Sequence, residues 1–279
     1  MEATASRTVS FHFDRARLVP AGRQHASRYH EARPFPHIVL DDFVPADIVD
    51  QCVAEFPTSE QEWDLYTDAG NSQKLAISDQ SRMGPVTRHL ISEFNGSAMI
   101  SFLEELTGIN GLVPDPHLVG GGLHQLGRGG FLNVHADFNR HPRLKLDRRL
   151  NVILYLNRDW REEYGGNLEL WNSNMTRCVQ RIVPEASRCV VFNTTDFSFH
   201  GNPQPVAAPN EMPRRSLAFY YYTNGRPQEE QSASHTTLYQ TPGVSPRPDL
   251  RRSRLKDFAR SLVPPIVGDV ARRQRSRAR

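Results

Sequence analysis

Apolar and polar residues recur with two different periods along this chain. Between residues 46 and 56 an apolar face repeats at helical spacing, and residues 85–107 predict one or two helices with a break near Asn95 and Gly96. From residue 117 to residue 223, short apolar runs alternate with glycine- and proline-rich breaks, which is typical of strands. The pattern predicts a mainly β protein with flanking helices.

The remaining segments differ from this centre in composition. Residues 36–43 predict a first strand, and residues 57–83 are polar and rich in turn residues, so they could arch over a site. Residues 1–33 are polar and predict an N-terminal extension. Residues 226–279 predict a basic tail that contains a short amphipathic helix.

A possible metal site appears on one of the predicted strands. His135 and Asp137 stand two residues apart, and alternate residues of a strand point to the same face, so both can reach one ion while Ala136 faces away. His200 follows an apolar run and supplies a second imidazole from another strand. Two imidazoles and one carboxylate can occupy one face of an octahedral Fe(II) and leave the other face open; Mn, Co or Zn would also suit them.

A second His-x-Asp pair, His12 and Asp14, lies in a polar stretch without a strand pattern, so we do not assign it to a metal. Arg214 opens a further apolar strand and could bind an anionic cosubstrate at the open face of the ion.

These motifs resemble those of the Fe(II)- and 2-oxoglutarate-dependent oxygenases, in particular the prolyl 4-hydroxylase-like branch. The resemblance covers about residues 35–225. It rests on the His-Ala-Asp block, on residues 150–157 (LNVILYLN), on residues 165–171 (GGNLELW), and on His200 and Arg214. It implies a double-stranded β-helix, the jelly roll of cupin-like proteins, and a dioxygenase domain over residues 34–225.

The resemblance also implies roles for individual residues. His135, Asp137 and His200 fall on the iron ligands. Arg214 falls on the residue that pairs with the distal carboxylate of 2-oxoglutarate, and Tyr155 falls on a tyrosine that donates to the same carboxylate.

Neighbouring positions follow from the same comparison and from strand alternation. Ser216 should share the inward face with Arg214, whereas Arg215 should point outward. Gln125 falls where the branch often has a tyrosine that contacts the cosubstrate. This sequence departs from the family at that position.

The activity implied by the resemblance is hydroxylation of an unactivated C–H bond with release of succinate and CO2. It uses Fe(II), 2-oxoglutarate and O2, with ascorbate as an optional addition. Relatives that halogenate have Gly or Ala in place of Asp137, so hydroxylation is favoured here. Two alternatives stay open: a non-enzymatic 2-oxoglutarate or metal sensor, and a hydrolytic zinc enzyme on the same fold.

The primary substrate is either a peptidyl residue such as proline or a small molecule. Side chains that could line the mouth of the site are Asn133, Asn139, Arg148 and Trp171, with Trp63 and Tyr66 from the polar segment.

Charge and cysteine content restrict the partners and the compartment. The whole chain carries a net charge of +3, and residues 247–279 contain eleven Lys and Arg against three Asp. The basic tail could make weak contact with anionic surfaces, but the sequence does not require a nucleic acid. Three scattered cysteines and the lack of an apolar run long enough to span a membrane favour a cytoplasmic protein.

Overall fold

A layer of helices covers one face of a curled antiparallel sheet. The computed structural model of the chain describes residues 11–59, 62–66 and 71–239. Its α-helices, numbered in chain order, are α1 (Arg15–Glu31), α2 (Ala46–Ala54), α3 (Pro85–Phe94) and α4 (Ser97–Thr107). The break between α3 and α4 falls at Asn95 and Gly96, where the sequence predicts it.

The strands follow the same chain order. They are β1 (His37–Leu40), β2 (Asp64–Tyr66), β3 (Asn71–Ile77), β4 (Val113–Pro114), β5 (Gly122–Ala136), β6 (Asp147–Tyr155), β7 (Leu168–Trp171), β8 (Cys178–Ile182), β9 (Cys189–Asn193), β10 (His200–Asn202), β11 (Arg214–Thr223) and β12 (Leu238–Tyr239). Eight of them run in the order β1-β9-β6-β11-β5-β10-β7-β8. The curled antiparallel sheet confirms the predicted jelly-roll class.

Strand alternation gives the central strands two buried faces. On β11, Leu217, Phe219 and Tyr221 pack into the main core together with the helices. The alternate residues Ser216 and Ala218 line a cavity on the opposite face. Because both faces are covered, most residues of β11 are buried, and apolar residues do not strictly alternate with polar ones along the strand.

Helix α1 packs on α4 and takes part in the main core. Asp14 caps the helix by accepting a hydrogen bond from the backbone N–H of Ala16 (2.8 Å), so its carboxylate serves a structural purpose. Leu18 and Tyr29 are buried in the same cluster as the residues of α3 and α4. Residues 15–31 therefore belong to the folded core, whereas the sequence analysis predicted an N-terminal extension over residues 1–33.

The polar segment before α3 also contributes to the sheet. Strand β3 pairs antiparallel with β5, and β2 pairs with β3. Sequence pattern did not indicate these strands because their residues are mostly polar.

Residues beyond the predicted domain boundary continue along the sheet as far as Tyr239. Strand β12 pairs with β5, with Leu238 opposite Ala136 and Tyr239 opposite His135. The predicted basic helix near residues 255–262 lies outside the described residues. Within the described part of the chain, no helix is both long enough and apolar enough to cross a membrane.

The close contact between α1 and α4 predicts that a larger residue at Gly22 destabilises the protein. A Cβ added there would lie 2.6 Å from the backbone oxygen of Phe102, so α1 would have to shift. We expect Gly22→Ala to lower the free energy of unfolding by about 1–3 kcal/mol, as overpacking usually does. At an exposed helical position the same change would instead stabilise by about 0.5–1 kcal/mol.

Chemical denaturation followed by circular dichroism measures this difference. Gln24→Ala, at an exposed position on the same helix, is the control and should leave stability almost unchanged. A stabilised Gly22→Ala variant would mean that α1 does not pack on α4 in solution.

Candidate metal centre

His135, Asp137 and His200 come together where β5 and β10 pair. His200 lies opposite His135 in the antiparallel register, and their ring centroids are 4.5 Å apart. Asp137 follows the end of β5, with Oδ1 3.5 Å from Nε2 of His135 and Oδ2 3.3 Å from Nε2 of His200. Three possible ligand atoms thus lie within 4.8 Å of one another, close enough to share one ion.

Backbone carbonyls orient both imidazoles. Nδ1 of His135 donates to the carbonyl oxygen of Asn133 (2.8 Å), and Nδ1 of His200 donates to that of Ser198 (2.9 Å). Each ring therefore presents the lone pair of Nε2 to the cluster, as a metal ligand requires. Burial is the main reason that the pKa of His200 falls to about 4, so this ring is neutral at pH 7.

Asp137 is held by two further side chains. Its Oδ2 accepts a hydrogen bond from Nδ2 of Asn151 (2.7 Å) and lies 3.1 Å from Nη2 of Arg148. Burial alone would raise the pKa of Asp137, but the nearby positive charge of Arg148 opposes burial, and this pKa lies well below its usual range. The carboxylate is therefore ionised, and one of its oxygens is already oriented.

Arg148 supports Asp137 and is not a surface residue. Its side chain is fully buried, and its guanidinium carbon lies 3.5 Å from the ring centroid of Tyr220 and 4.4 Å from that of Phe138. Nε and Nη2 also donate to Oδ1 of Asn151, at 3.0 and 2.6 Å. The sequence analysis named Arg148 only for the mouth of the site, because its contact with Asp137 spans two strands.

Arg214 and Tyr155 meet farther along the same face of the sheet. Nη2 of Arg214 donates to the hydroxyl of Tyr155 (3.3 Å), and Nε donates to the carbonyl oxygen of Gly166 (2.6 Å). Gly166 has φ +62°, and a Cβ there would lie 2.9 Å from Cδ of Arg214. The Gly-Gly turn thus lets the backbone approach and fix the guanidinium.

The neighbours of Arg214 alternate as strand geometry requires. Ser216 lies on the inward face and lines the cavity with Arg214. Arg215 points away and donates from Nε to Oε1 of Gln125 (2.9 Å). Gln125 therefore lies on the opposite face of the sheet, and its assignment to the cosubstrate is corrected: its neighbour His124 faces the cavity instead.

The inward faces enclose a cavity of about 220 Å³. It is lined by the three possible ligands and by Arg214, Ser216, His124, Asn202, Arg148, Tyr220, Lys74, Thr237 and Tyr239, among others. Three buried nitrogen atoms of these lining residues have no hydrogen-bond partner: Nε2 of His124, Nδ2 of Asn202 and Nη1 of Arg148. Buried polar atoms are nearly always paired, and the nitrogens of Asn202 and Arg148 are donors, so such a cavity suits a ligand with acceptor oxygens.

The other residues predicted for the mouth have different surroundings. Asn139 binds the chain near Ser232, and Trp171 donates from Nε1 to Glu169 (3.0 Å) while it packs beside the cluster around Phe199. Neither lines the cavity.

Two further predicted positions also lie away from it. Asn133 takes part through its backbone carbonyl, as described for His135, and Trp63 is buried against Phe56 in the main core. The side chain of Tyr66 lies outside the described residues.

Sequence reasoning missed several residues of the cavity. Asn151 and Asn202 looked like ordinary strand residues, although each stands on the inward face of its strand. In the β5–β11 pair, His124 lies opposite Ser216 and Gln125 lies opposite Arg215. Since Ser216 shares the inward face with Arg214, this register favours His124 over Gln125 as the residue that faces the cavity. The sequence around Thr237 and Tyr239 contains no pattern that indicates a site.

A family model matches the part of the chain that contains His135, Asp137 and His200. Residues 121–222 match the model of the 2OG-Fe(II) oxygenase superfamily. A search of curated protein sequences found no match.

Solved structures with a similar fold have low sequence identity. A prolyl hydroxylase from Trichoplax adhaerens, in complex with a hypoxia inducible factor peptide fragment, has 16% identity and a TM-score of 0.51 over 74% of this chain and 91% of its own. HygX from Streptomyces hygroscopicus, with nickel, 2-oxoglutarate and hygromycin B bound, has 12% identity and a TM-score of 0.51 over 78% of this chain and 97% of its own. At these identities the likeness concerns the fold.

The opposite directions of Arg214 and Arg215 make a prediction about ligand binding. Arg214→Ala should weaken 2-oxoglutarate binding at least a hundredfold, because a buried carboxylate that loses its partner typically costs about 3–5 kcal/mol. Binding of the metal should change much less. Anaerobic calorimetric titration of the metal-loaded protein measures both affinities.

Arg215→Ala is the matched control, since it removes the same group from the other face of the strand. Equal losses in the two variants would mean that the register of β11 is displaced by one residue.

Proposed function

We propose that this chain, a member of the 2OG-Fe(II) oxygenase superfamily, hydroxylates an unactivated C–H bond of its substrate and releases succinate and CO2. The observation that carries the proposal is the combination, in one cavity, of three convergent ligand atoms with a buried Arg214. A hydrolytic zinc site would need the ligands but has no evident use for the Arg214–Tyr155 pair.

His135, Asp137 and His200 would hold the iron. Two neutral imidazoles and one carboxylate leave a divalent ion with a net positive charge and with open positions for other ligands. Bound Fe(II), together with 2-oxoglutarate, activates O2 for C–H oxidation. Asn151 and Arg148 keep Asp137 in one orientation, and the carbonyls behind the imidazoles keep both rings in the metal-binding tautomer.

Arg214 and Tyr155 would bind the distal carboxylate of 2-oxoglutarate. Arg214 is buried, and burial lowers its pKa without removing its charge, since an arginine stays protonated at neutral pH. The tie from Nε to Gly166 orients the guanidinium before the ligand arrives. Nδ2 of Asn202 is unpaired in the same cavity and can donate a hydrogen bond to the oxygen-rich cosubstrate.

The charges around the cavity favour a neutral or acidic substrate. Among the described lining residues, Lys74, Arg148 and Arg214 are cationic, while Asp137 is the carboxylate and is committed to the metal. An amine would therefore find no carboxylate to pair with. A peptidyl residue such as proline and an oxygen-rich small molecule both meet this condition, and ascorbate could be added to either assay.

Joint binding of iron and 2-oxoglutarate gives the first test of the proposal. Anaerobic addition of both to the purified protein should produce the weak visible charge-transfer band of a chelated 2-oxo acid. His135→Ala or His200→Ala should abolish the band, because each removes one of the three ligands. His25→Ala, on α1 and far from the cluster in sequence, is the control and should leave it unchanged.

A full-strength band in either ligand variant would show that these histidines are not the ligands. Succinate release in air, measured against a panel of peptides and metabolites, separates an oxygenase from a sensor. A sensor would bind 2-oxoglutarate and form no succinate with any compound.

Asp137→Gly tests the carboxylate separately. It should abolish product formation while the chain stays folded with a lower unfolding temperature, because buried Arg148 loses its counterion. Thermal unfolding and product formation are compared in the same preparation. Product formation coupled to succinate at the wild-type rate would exclude Asp137 from the ligand set.

A further inference from the structure

Residues 231–239 form a segment, here called the C-terminal strap, that reaches the cavity with Thr237 and Tyr239. The strap lies outside residues 121–222, which match the family model. Its last two residues form β12, in which Tyr239 pairs with His135 in the backbone ladder. The ring centroid of Tyr239 lies 5.6 Å from that of His135. The strap therefore reaches a predicted iron ligand directly.

Two side chains of the strap face the cavity. Thr237 and Tyr239 line it, as do the metal ligands, while Thr236 between His235 and Thr237 is exposed. This alternation is that of an extended chain with one face against the cavity.

The strap is attached to both segments that carry the ligands. Asn139, two residues after Asp137, donates from Nδ2 to Oγ of Ser232 and to the carbonyl oxygen of Ala233, both at 2.9 Å. Its Oδ1 accepts from the backbone N–H of His235 (3.0 Å). Three bonds from one amide side chain fix the strap relative to β5.

The other attachment precedes β10. Asp196, four residues before His200, accepts from Oγ of Ser232 at 3.0 Å, and its Oδ1 lies 3.0 Å from Nε2 of His235. Leu238 packs against the cluster around Val134 and Phe199. Contacts on both sides of the metal centre give the strap a defined position, unlike a loose tail.

We propose that the strap builds the substrate-binding wall of the active site, and that Tyr239 and Thr237 hold a neutral or acidic, oxygen-bearing substrate against the metal centre. This inference rests on the proposed function. The ring of Tyr239 offers an apolar surface and the hydroxyl of Thr237 a hydrogen-bonding group. Tyr220 and Arg148, whose Nη1 is unpaired, line the same cavity. The substrate would lie between these residues and the strap, opposite the Arg214 end of the cavity.

A metal-catalysed oxidation experiment tests the position of the strap without any substrate. Fe(II), ascorbate and O2 oxidise the side chains nearest to a bound iron, and peptide mass spectrometry locates the added oxygen. We expect oxidation at Tyr239 in the wild-type protein and none at Tyr239 in a His135→Ala/His200→Ala double variant. If other cavity residues are oxidised while Tyr239 is not, the strap does not lie over the metal centre.

The second experiment measures how far the peptides and metabolites of the panel stimulate succinate formation. Tyr239→Ala should reduce stimulation by the best neutral or acidic compound at least about tenfold, which corresponds to about 1.4 kcal/mol of binding, and leave the charge-transfer band intact. Thr237→Val should act in the same direction. Thr236→Val is the matched control, with the same exchange on the exposed face, and should behave as wild type.

The outcomes separate the two proposals. A wild-type protein without a charge-transfer band contradicts the proposed function itself. An intact band with unchanged stimulation in Tyr239→Ala contradicts the role of the strap alone. Stimulation by polyamines or aminoglycosides in preference to neutral and acidic compounds contradicts the assigned substrate class.

Asn139→Ala provides a second variant in which no side chain that lines the cavity is substituted. It removes the three hydrogen bonds that fix the strap, and it should lower stimulation as Tyr239→Ala does. Wild-type stimulation in this variant, with the strap shown to be released by its sensitivity to protease, would overturn the proposal.

Discussion

The antiparallel pairing of β10 with β5 is the constraint on which the candidate site depends. It sets His200 opposite His135, although 65 residues separate them in the chain. Backbone hydrogen bonds thus fix the distance between two imidazoles before any metal binds. Asp137 then needs only the two-residue step along β5 to join them. A shift of this pair by one residue would turn one ring to the other face of the sheet and leave two ligands.

Buried charge surrounds this pairing and has to be compensated. Asp137 is flanked by Arg148 and Asn151, and the guanidinium of Arg148 lies against the rings of Phe138 and Tyr220. Such a network costs desolvation energy that a hydrophobic core would not. Its benefit is orientation: a carboxylate held by two donors has little freedom to bind the metal in a second geometry. The main core on the far side of β6 and β11 supplies the stability that this arrangement lacks.

Local sequence pattern predicted the residues whose positions follow from one strand. His135 with Asp137, and Arg214 with Ser216, are pairs two residues apart, so alternation alone places each pair on one face. The assignment of Gln125 to the cosubstrate was wrong because the face on which Gln125 lies depends on the register between β5 and β11. Register is a property of two strands and cannot be read from one.

The contacts that the sequence analysis missed join segments that are far apart along the chain. The packing of α1 on α4 joins segments about 80 residues apart, as in the pair Arg23–Glu105. The strap meets β5 about 100 residues after it, through polar contacts that leave no periodic signal. The family resemblance ended near residue 225, so it gave no indication of these contacts.

The close approach of Gly166 to Arg214 has a consequence for selectivity among cosubstrates. The guanidinium is tied to a backbone carbonyl, and the three ligands are tied to paired strands, so neither end of the cavity can move toward the other. The site therefore acts as a ruler of fixed length between an ion and a cation. In the proposed function, a 2-oxo diacid shorter or longer by one methylene group would satisfy one end at the expense of the other. The backbone itself would then select the cosubstrate by its chain length.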